Sequence, residues 1–202
     1  MKRDDLCNRG QTFVEDNKYK LLRYEEKDKD IYMKILYEIF DRNKEYLDNS
    51  FWEKSWNELL MDDNKLVLKI IDIEKNTYVG EVALQNIQSD CPEIGIHIMK
   101  EYRNRGIASR VLPLFLNKIK SLVEAEYFQA RIRSNNWISI KLFEKLGAVK
   151  IGEEGIEYST LMSQMAEKWG REKMEMTIGK DLEEILAYII CYGIYRQAAI
   201  EL

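Results

Sequence analysis

The sequence predicts a mixed α/β domain, and three observations carry that prediction. Short apolar or alternating runs recur at residues 19–24, 65–73, 78–84 and 93–99, the mark of strands. Other segments carry apolar residues at three- and four-residue spacing, as Ile31, Ile35, Leu36 and Ile39 do, the mark of amphipathic helices. In chain order the two kinds give β-α-α-β-β-β-α-β-α-β with further elements behind, a single mixed α/β core.

The elements follow in order. Residues 1–18 read as a charged lead-in. Residues 19–24 form the first strand and 28–40 the first helix. Residues 48–60 repeat the helical pattern with Phe51, Trp52, Trp56, Leu59 and Leu60. The strands 65–73 and 78–84 are joined by Glu74-Lys75-Asn76-Thr77, a hairpin-like connection. Cys91-Pro92 precedes a strand over 93–99, in which Ile94, Ile96 and Ile98 alternate with Gly95 and His97. Ile107, Val111, Leu114, Phe115, Ile119 and Leu122 then mark a long helix. Residues 128–133 are another strand, and Asn136 opens a helix that ends at Leu146, with Gly147 as its C-cap. Beyond it, 149–158 read as extended, 161–169 as helix, 174–178 as strand and 181–198 as a last helix. That helix puts Leu182, Ile185, Leu186, Ile189 and Tyr192 on one face. The expected organisation is a lead-in (1–18), one domain (19–180) and a C-terminal helix (181–202) packed on that domain or at a dimer interface.

Bulk properties narrow the function. The 202 residues are long enough for one sizeable core, and a net charge of −4 gives a nucleic-acid partner no electrostatic support. Cys7, Cys91 and Cys191 are scattered, and His97 is the only histidine, so neither a metal site nor a histidine-based triad is expected. Residues 1–10 lack the apolar run of a signal peptide. The most hydrophobic stretch, 185–194, is shorter than a membrane span. The expectation is a cytoplasmic protein with no membrane partner, a monomer or a homodimer.

The most informative segment is the turn Arg103-Asn104-Arg105-Gly106-Ile107-Ala108, set between the 93–99 strand and the long helix. It exposes the unpaired N–H groups of a helix's first turn, where the macrodipole is positive. Gly106 lets a ligand approach the backbone, and Arg103, Arg105 and Arg110 add positive charge. Such a turn suits a phosphorylated ligand, although many glycine turns only start a helix.

These pieces together resemble the GNAT superfamily of acyl-CoA-dependent N-acyltransferases. Its pyrophosphate motif, Arg/Gln-x-x-Gly-x-Gly/Ala, is met by Arg103, Gly106 and Ala108. Its second motif, an Asn-initiated helix ending in Glu-Lys-Leu-Gly, is met by Asn136 through Ser139 and Phe143 to Gly147. Leu21-Leu22-Arg23 and the Gly80 to Leu84 spacing also fit, so the likeness covers roughly residues 19–158. The Asn136–Ser139 spacing is similar to the branch that holds ribosomal-protein N-terminal acetyltransferases. The fold so implied is a largely antiparallel mixed sheet, splayed between two parallel strands and flanked by helices.

The resemblance also implies roles. Acetyl-CoA would be the co-substrate, its pantetheine against Ile96, His97 and Ile98. Its pyrophosphate would sit on the N–H groups of Asn104, Arg105, Gly106, Ile107, Ala108 and Ser109. Asn136 would hydrogen-bond the pantetheine arm, or serve only as an N-cap. Ser139 would meet the cofactor sulfur, or only a preceding carbonyl. The chemistry is attack of a neutral amine on a thioester, which needs a proton acceptor and an oxyanion partner. Glu93 is the first candidate for the base, with His97 and then Glu81 behind it. The acceptor would be an amine-bearing small molecule or a peptide N-terminus. Two departures stand out: Phe143 replaces a tyrosine general acid common in the family, and Arg131 replaces a glutamate used by some protein acetyltransferases. They keep open an alternative, a non-catalytic acyl-CoA sensor.

Overall fold

The computed structural model describes residues 2–40, 48–170 and 187–195, in two compact units divided after Phe128. The first unit runs α1 (Arg3–Leu6), β1 (Thr12–Glu15), β2 (Tyr19–Arg23), α2 (Lys29–Ile39), α3 (Asn49–Met61), β3 (Lys65–Asp72), β4 (Thr77–Gln85), β5 (Glu93–Ile98) and α4 (Ile107–Leu122). Strands β1 to β5 lie side by side in chain order, each antiparallel to the next. β6 (Tyr127–Arg133) leads into the second unit, which adds α5 (Trp137–Lys145), β7 (Val149–Glu154), α6 (Ile156–Trp169) and β8 (Ile189–Tyr195). The mixed α/β class read from the sequence is the class observed.

Strand alternation gives the sheet of the first unit two different faces. Val67 and Ala83 join Tyr24 and the apolar stripes of α2 and α3, among them Tyr32, Ile35, Leu36, Trp52 and Trp56, in one core cluster. Leu66, Leu68, Ile70, Val82 and Leu84, the alternate residues of β3 and β4, are fully buried on the opposite face. Helix α4 packs on β1 and β5, and Val111, Leu112, Phe115, Leu116 and Ile119 have no exposed surface. Each such side chain contributes about 1.5–3 kcal/mol relative to exposure.

Two close approaches shape the middle of this sheet. Lys69 is buried with Asp28 as an ion pair beneath the ring of Tyr24. Gly80 stands opposite Ile98, and a Cβ there would lie 2.3 Å from the carbonyl oxygen of His97, so only glycine lets β4 and β5 meet at this register.

Three expectations change. The lead-in contains ordered elements: Phe13 of β1 packs against Phe115 at 5.9 Å, and buried Arg23 bonds Asp4 at 2.6 Å. Helix α6 starts at Ile156, inside the span read as extended. The expected C-terminal helix is replaced over Ile189–Tyr195 by strand β8, antiparallel to β7 with Val149 opposite Gly193. The run Ile-Ile-Cys-Tyr-Gly-Ile-Tyr is rich in β-branched and aromatic residues, and pairing along a strand buries Ile190, Cys191, Tyr192 and Ile194. The expected strand at 174–178, and the remainder of the expected helix, lie outside the described residues.

Candidate functional site

The β5–turn–α4 segment forms as the sequence predicts. After β5 the chain makes a short 3-10 turn at Lys100–Tyr102, then enters α4 through two left-handed residues, Asn104 (φ 60°) and Gly106 (φ 72°). Gly106 is the N-cap, and the helical ladder begins with Arg110 N–H donating to Gly106 O at 3.2 Å. The N–H groups of Ile107, Ala108 and Ser109 therefore lie in the first turn, ahead of that ladder. A Cβ on Gly106 would meet nothing within 4 Å, so the backbone here faces open space. Residues 103–106 and Ser109 are exposed, Ala108 is half-buried, and Ile107 is buried as the anchor of the helix.

The arginines of the turn do something the sequence did not suggest. Arg103 folds back: its Nε donates to Ile98 O at 2.8 Å and a terminal nitrogen donates to Glu38 Oε1 at 2.8 Å. Arg105 donates to Glu101 O at 2.7 Å and stacks on Tyr102. Arg110 pairs with Asp16 at 2.6 Å, linking α4 to the β1–β2 turn. These three cations brace the turn.

Glu38, near the end of α2, is the centre of that bracing and was not singled out from the sequence. Its Oε1 accepts from Lys100 N–H at 2.9 Å and from Arg103, and lies 3.1 Å from His97 Nε2. Burial, opposed by the Glu38 hydrogen bond and helped by the charge of Arg103, holds the His97 imidazole below its usual range. His97 is thus a held residue of the turn. Ile96 and Ile98 flank it, half-buried, and β4 pairs with all six residues of β5.

A second polar cluster lies beside it on β4. Glu81 is directly opposite His97 on one side and Lys69 on the other, so its side chain shares their face. Tyr24 OH donates to Glu81 Oε2 at 3.1 Å and lies 2.8 Å from Tyr78 OH. Burial pushes the Glu81 carboxyl up to about 7, against the pull of the Tyr24 hydrogen bond and the charge of Lys65. The half-buried Glu81 is therefore poised to exchange a proton near neutrality. Glu93, the first candidate, shares this face but sits at the head of β5 opposite Gln85, four residues and about 13 Å along the strand from His97.

The second unit positions the other motif. Asn136 is the N-cap of α5, its side-chain oxygen accepting from Ser139 N–H at 3.2 Å. Ser139 is half-buried in the first turn, and Phe143 is a buried core residue two turns from the cap. Arg131 forms an ion pair with Glu154 of β7 and so serves the strand framework. Among the described residues no group of His, Cys, Asp and Glu side chains forms a cation site. No described helix is long and apolar enough to cross a membrane.

Residues 20–149 match the family model described as an acetyltransferase (GNAT) domain. An uncharacterised protein of Methanocaldococcus jannaschii is 34% identical over 119 residues, a match covering 57% of this chain and 24% of that protein. The chain thus spans about a quarter of that relative's length. Among solved structures, spermidine N-acetyltransferase from Vibrio cholerae in complex with CoA and spermine aligns with a TM-score of 0.66 at 14% identity, over 91% of this chain and 98% of that one. Ribosomal-protein-S5-alanine acetyltransferase from Vibrio fischeri aligns at 0.61 and 17% identity, over 92% and 97%. A domain from M. jannaschii aligns at 0.59 and 25% identity, over 89% and 100%. The likeness to the two Vibrio enzymes is one of fold.

Proposed function

Because this chain belongs to the GNAT acetyltransferase family, we propose that it transfers an acetyl group from acetyl-CoA to the primary amine of a small molecule or a peptide N-terminus. The observation that carries the proposal is the turn from Asn104 to Gly106. It presents first-turn N–H groups and open space at a left-handed glycine, a few residues beyond the end of β5 and inside the span of the family match. In this reading the pyrophosphate is held by the backbone N–H groups from Asn104 to Ser109. Arg103 fixes the shape of the seat, and the pantetheine arm lies along Ile96, His97 and Ile98.

Transfer in a ternary complex joins the amine nitrogen to the acetyl carbon and breaks the carbon–sulfur bond. The amine proton passes to a base and the thiolate leaves, taking up a proton in turn. Glu93 is proposed to serve the amine proton through water, and Ser139 to donate a hydrogen bond to the departing sulfur. Asn136 is proposed to orient the pantetheine amide as well as cap α5. Positioning supplies much of the rate, because a thiol is a good leaving group. Both named Vibrio relatives take amine acceptors, spermidine in one and a ribosomal protein in the other, which supports an amine here without choosing between the two kinds.

The test is free-thiol release from acetyl-CoA by the purified chain, run against polyamines, amino acids, amino sugars and short peptides. Turnover confined to one acceptor kind is the expected outcome. Tight acetyl-CoA binding by calorimetry with no release on any acceptor points instead to an acyl-CoA sensor.

A further inference from the structure

We propose that Glu81, held by the hydroxyl of Tyr24, is a proton acceptor for the attacking amine, beside His97 and distinct from Glu93. The inference rests on the acetyl-transfer reading and adds to it a residue and a pH-setting element.

The argument begins with position. His97 belongs to the strand segment proposed to carry pantetheine, and Glu81 is its cross-strand partner, so the two Cβ atoms are separated by only about 5 Å. Glu93 is separated from His97 by four residues of extended chain, so the two carboxyls stand at different points along β5. A carboxylate facing the strand segment that carries the arm can take the proton released when the carbon–nitrogen bond forms.

Chemistry points the same way. Glu81, Tyr24 and Tyr78 form a hydrogen-bonded polar cluster at the edge of the aromatic core of α2 and α3, to which Tyr24 itself belongs. Tyr24 is buried, and burial holds its hydroxyl in the protonated state, so it acts as a hydrogen-bond donor to Glu81. The groups around Glu81 leave its charge unmatched. Lys69 of β3 is committed to Asp28, and His97 of β5 and Glu38 of α2 are committed to each other. Tyr32 of α2 is neutral, and Lys65 of β3 contributes only a Coulombic attraction. A carboxyl in that setting takes up a proton near neutrality, as a general base working at physiological pH must.

The experiment measures kcat/KM against pH for wild type, E81Q, E93Q and Y24F with an acceptor found by the thiol-release panel. Acetyl-CoA affinity by calorimetry and circular dichroism serve as controls. Wild type is expected to show an acidic limb near 7, which E81Q removes while lowering kcat/KM about 100-fold at pH 8. Y24F keeps the ring in the core and removes the hydrogen bond to the carboxylate, so the limb moves to higher pH; a merely structural role moves no limb. E93Q retains the limb. A limb retained in E81Q, with wild-type turnover present, overturns the inference and leaves the acetyl-transfer reading standing. Absence of wild-type turnover with every amine overturns both.

Discussion

Glu38 and Arg103, 65 residues apart in the chain, meet at 2.8 Å, and through that contact the end of α2 fixes the turn that leads into α4. The same carboxylate oxygen also accepts from Lys100 N–H, so side-chain and backbone donors of the turn share one acceptor. An element on the helical layer thus adds to the turn's own bonds, Arg103 to Ile98 O and Arg105 to Glu101 O, in setting the shape of the backbone seat.

Removing that acceptor should loosen the seat without removing it. E38A leaves Arg103 and Lys100 N–H without their acceptor, and acetyl-CoA affinity is expected to fall about tenfold, the equivalent of one hydrogen bond to a charged group. E38Q, which keeps an acceptor oxygen, should fall less. Isothermal calorimetry on both variants checks the order; equal affinity in E38A and wild type would sink the bracing role.

Gly106 separates backbone strain from occupancy. At φ 72°, with nothing within 4 Å of a Cβ, G106A should fold with a loss of about 1 kcal/mol. G106E adds bulk and negative charge at the mouth of the seat and is expected to abolish acetyl-CoA binding while circular dichroism stays native. Unchanged affinity in folded G106E would place the phosphate elsewhere.

Glu81 has a signature that needs no substrate. Its carboxyl titrates higher folded than unfolded, so its contribution to stability is fully present below about 4.5 and is lost as pH rises through about 7. E81Q does not titrate. Relative to wild type it should gain stability on going from pH 4.5 to pH 8, on the order of 2 kcal/mol or roughly 5 °C in Tm. Parallel melting curves for the two proteins across that range would contradict the elevated titration.

Gly80 tests the sheet itself. An added methyl would meet the backbone oxygen His97 O at 2.3 Å, so β4 and β5 must separate. G80A is expected to cost about 1–3 kcal/mol by overpacking and to weaken acetyl-CoA binding through His97. A G80A variant with native stability and affinity would show that the strands move apart freely.

The β5–turn–α4 unit was legible because it is local: Ile94, Ile96 and Ile98 alternate, and Ile107, Val111 and Phe115 keep helical step. The place of Gly106 at the head of α4 was legible for the same reason; its left-handed φ was not. The direction of Arg103 was not, because it is chosen by Glu38 from another element. Nor was the Tyr24–Glu81 hydrogen bond, which joins residues 57 positions apart, one just beyond β2 and the other on β4. Residues 189–195 misled for a different reason. A short apolar run reads equally as helix or strand until a partner strand is known, and here β7 decides it.

The three cysteines give the protein a graded reactivity toward electrophiles. Cys7 and Cys191 are buried, and burial pushes both thiols up, away from the thiolate form that reacts. Cys91 is half-exposed, hydrogen-bonded to Ser89, and sits two residues ahead of β5. A maleimide dye should therefore label Cys91 first, placing a reporter at the head of the strand proposed to carry pantetheine. The same thiol will consume disulfide reagents in a coupled assay. Replacing Cys91 with serine gives a quiet background for counting released CoA, and keeping it gives a fluorescent read-out of its binding.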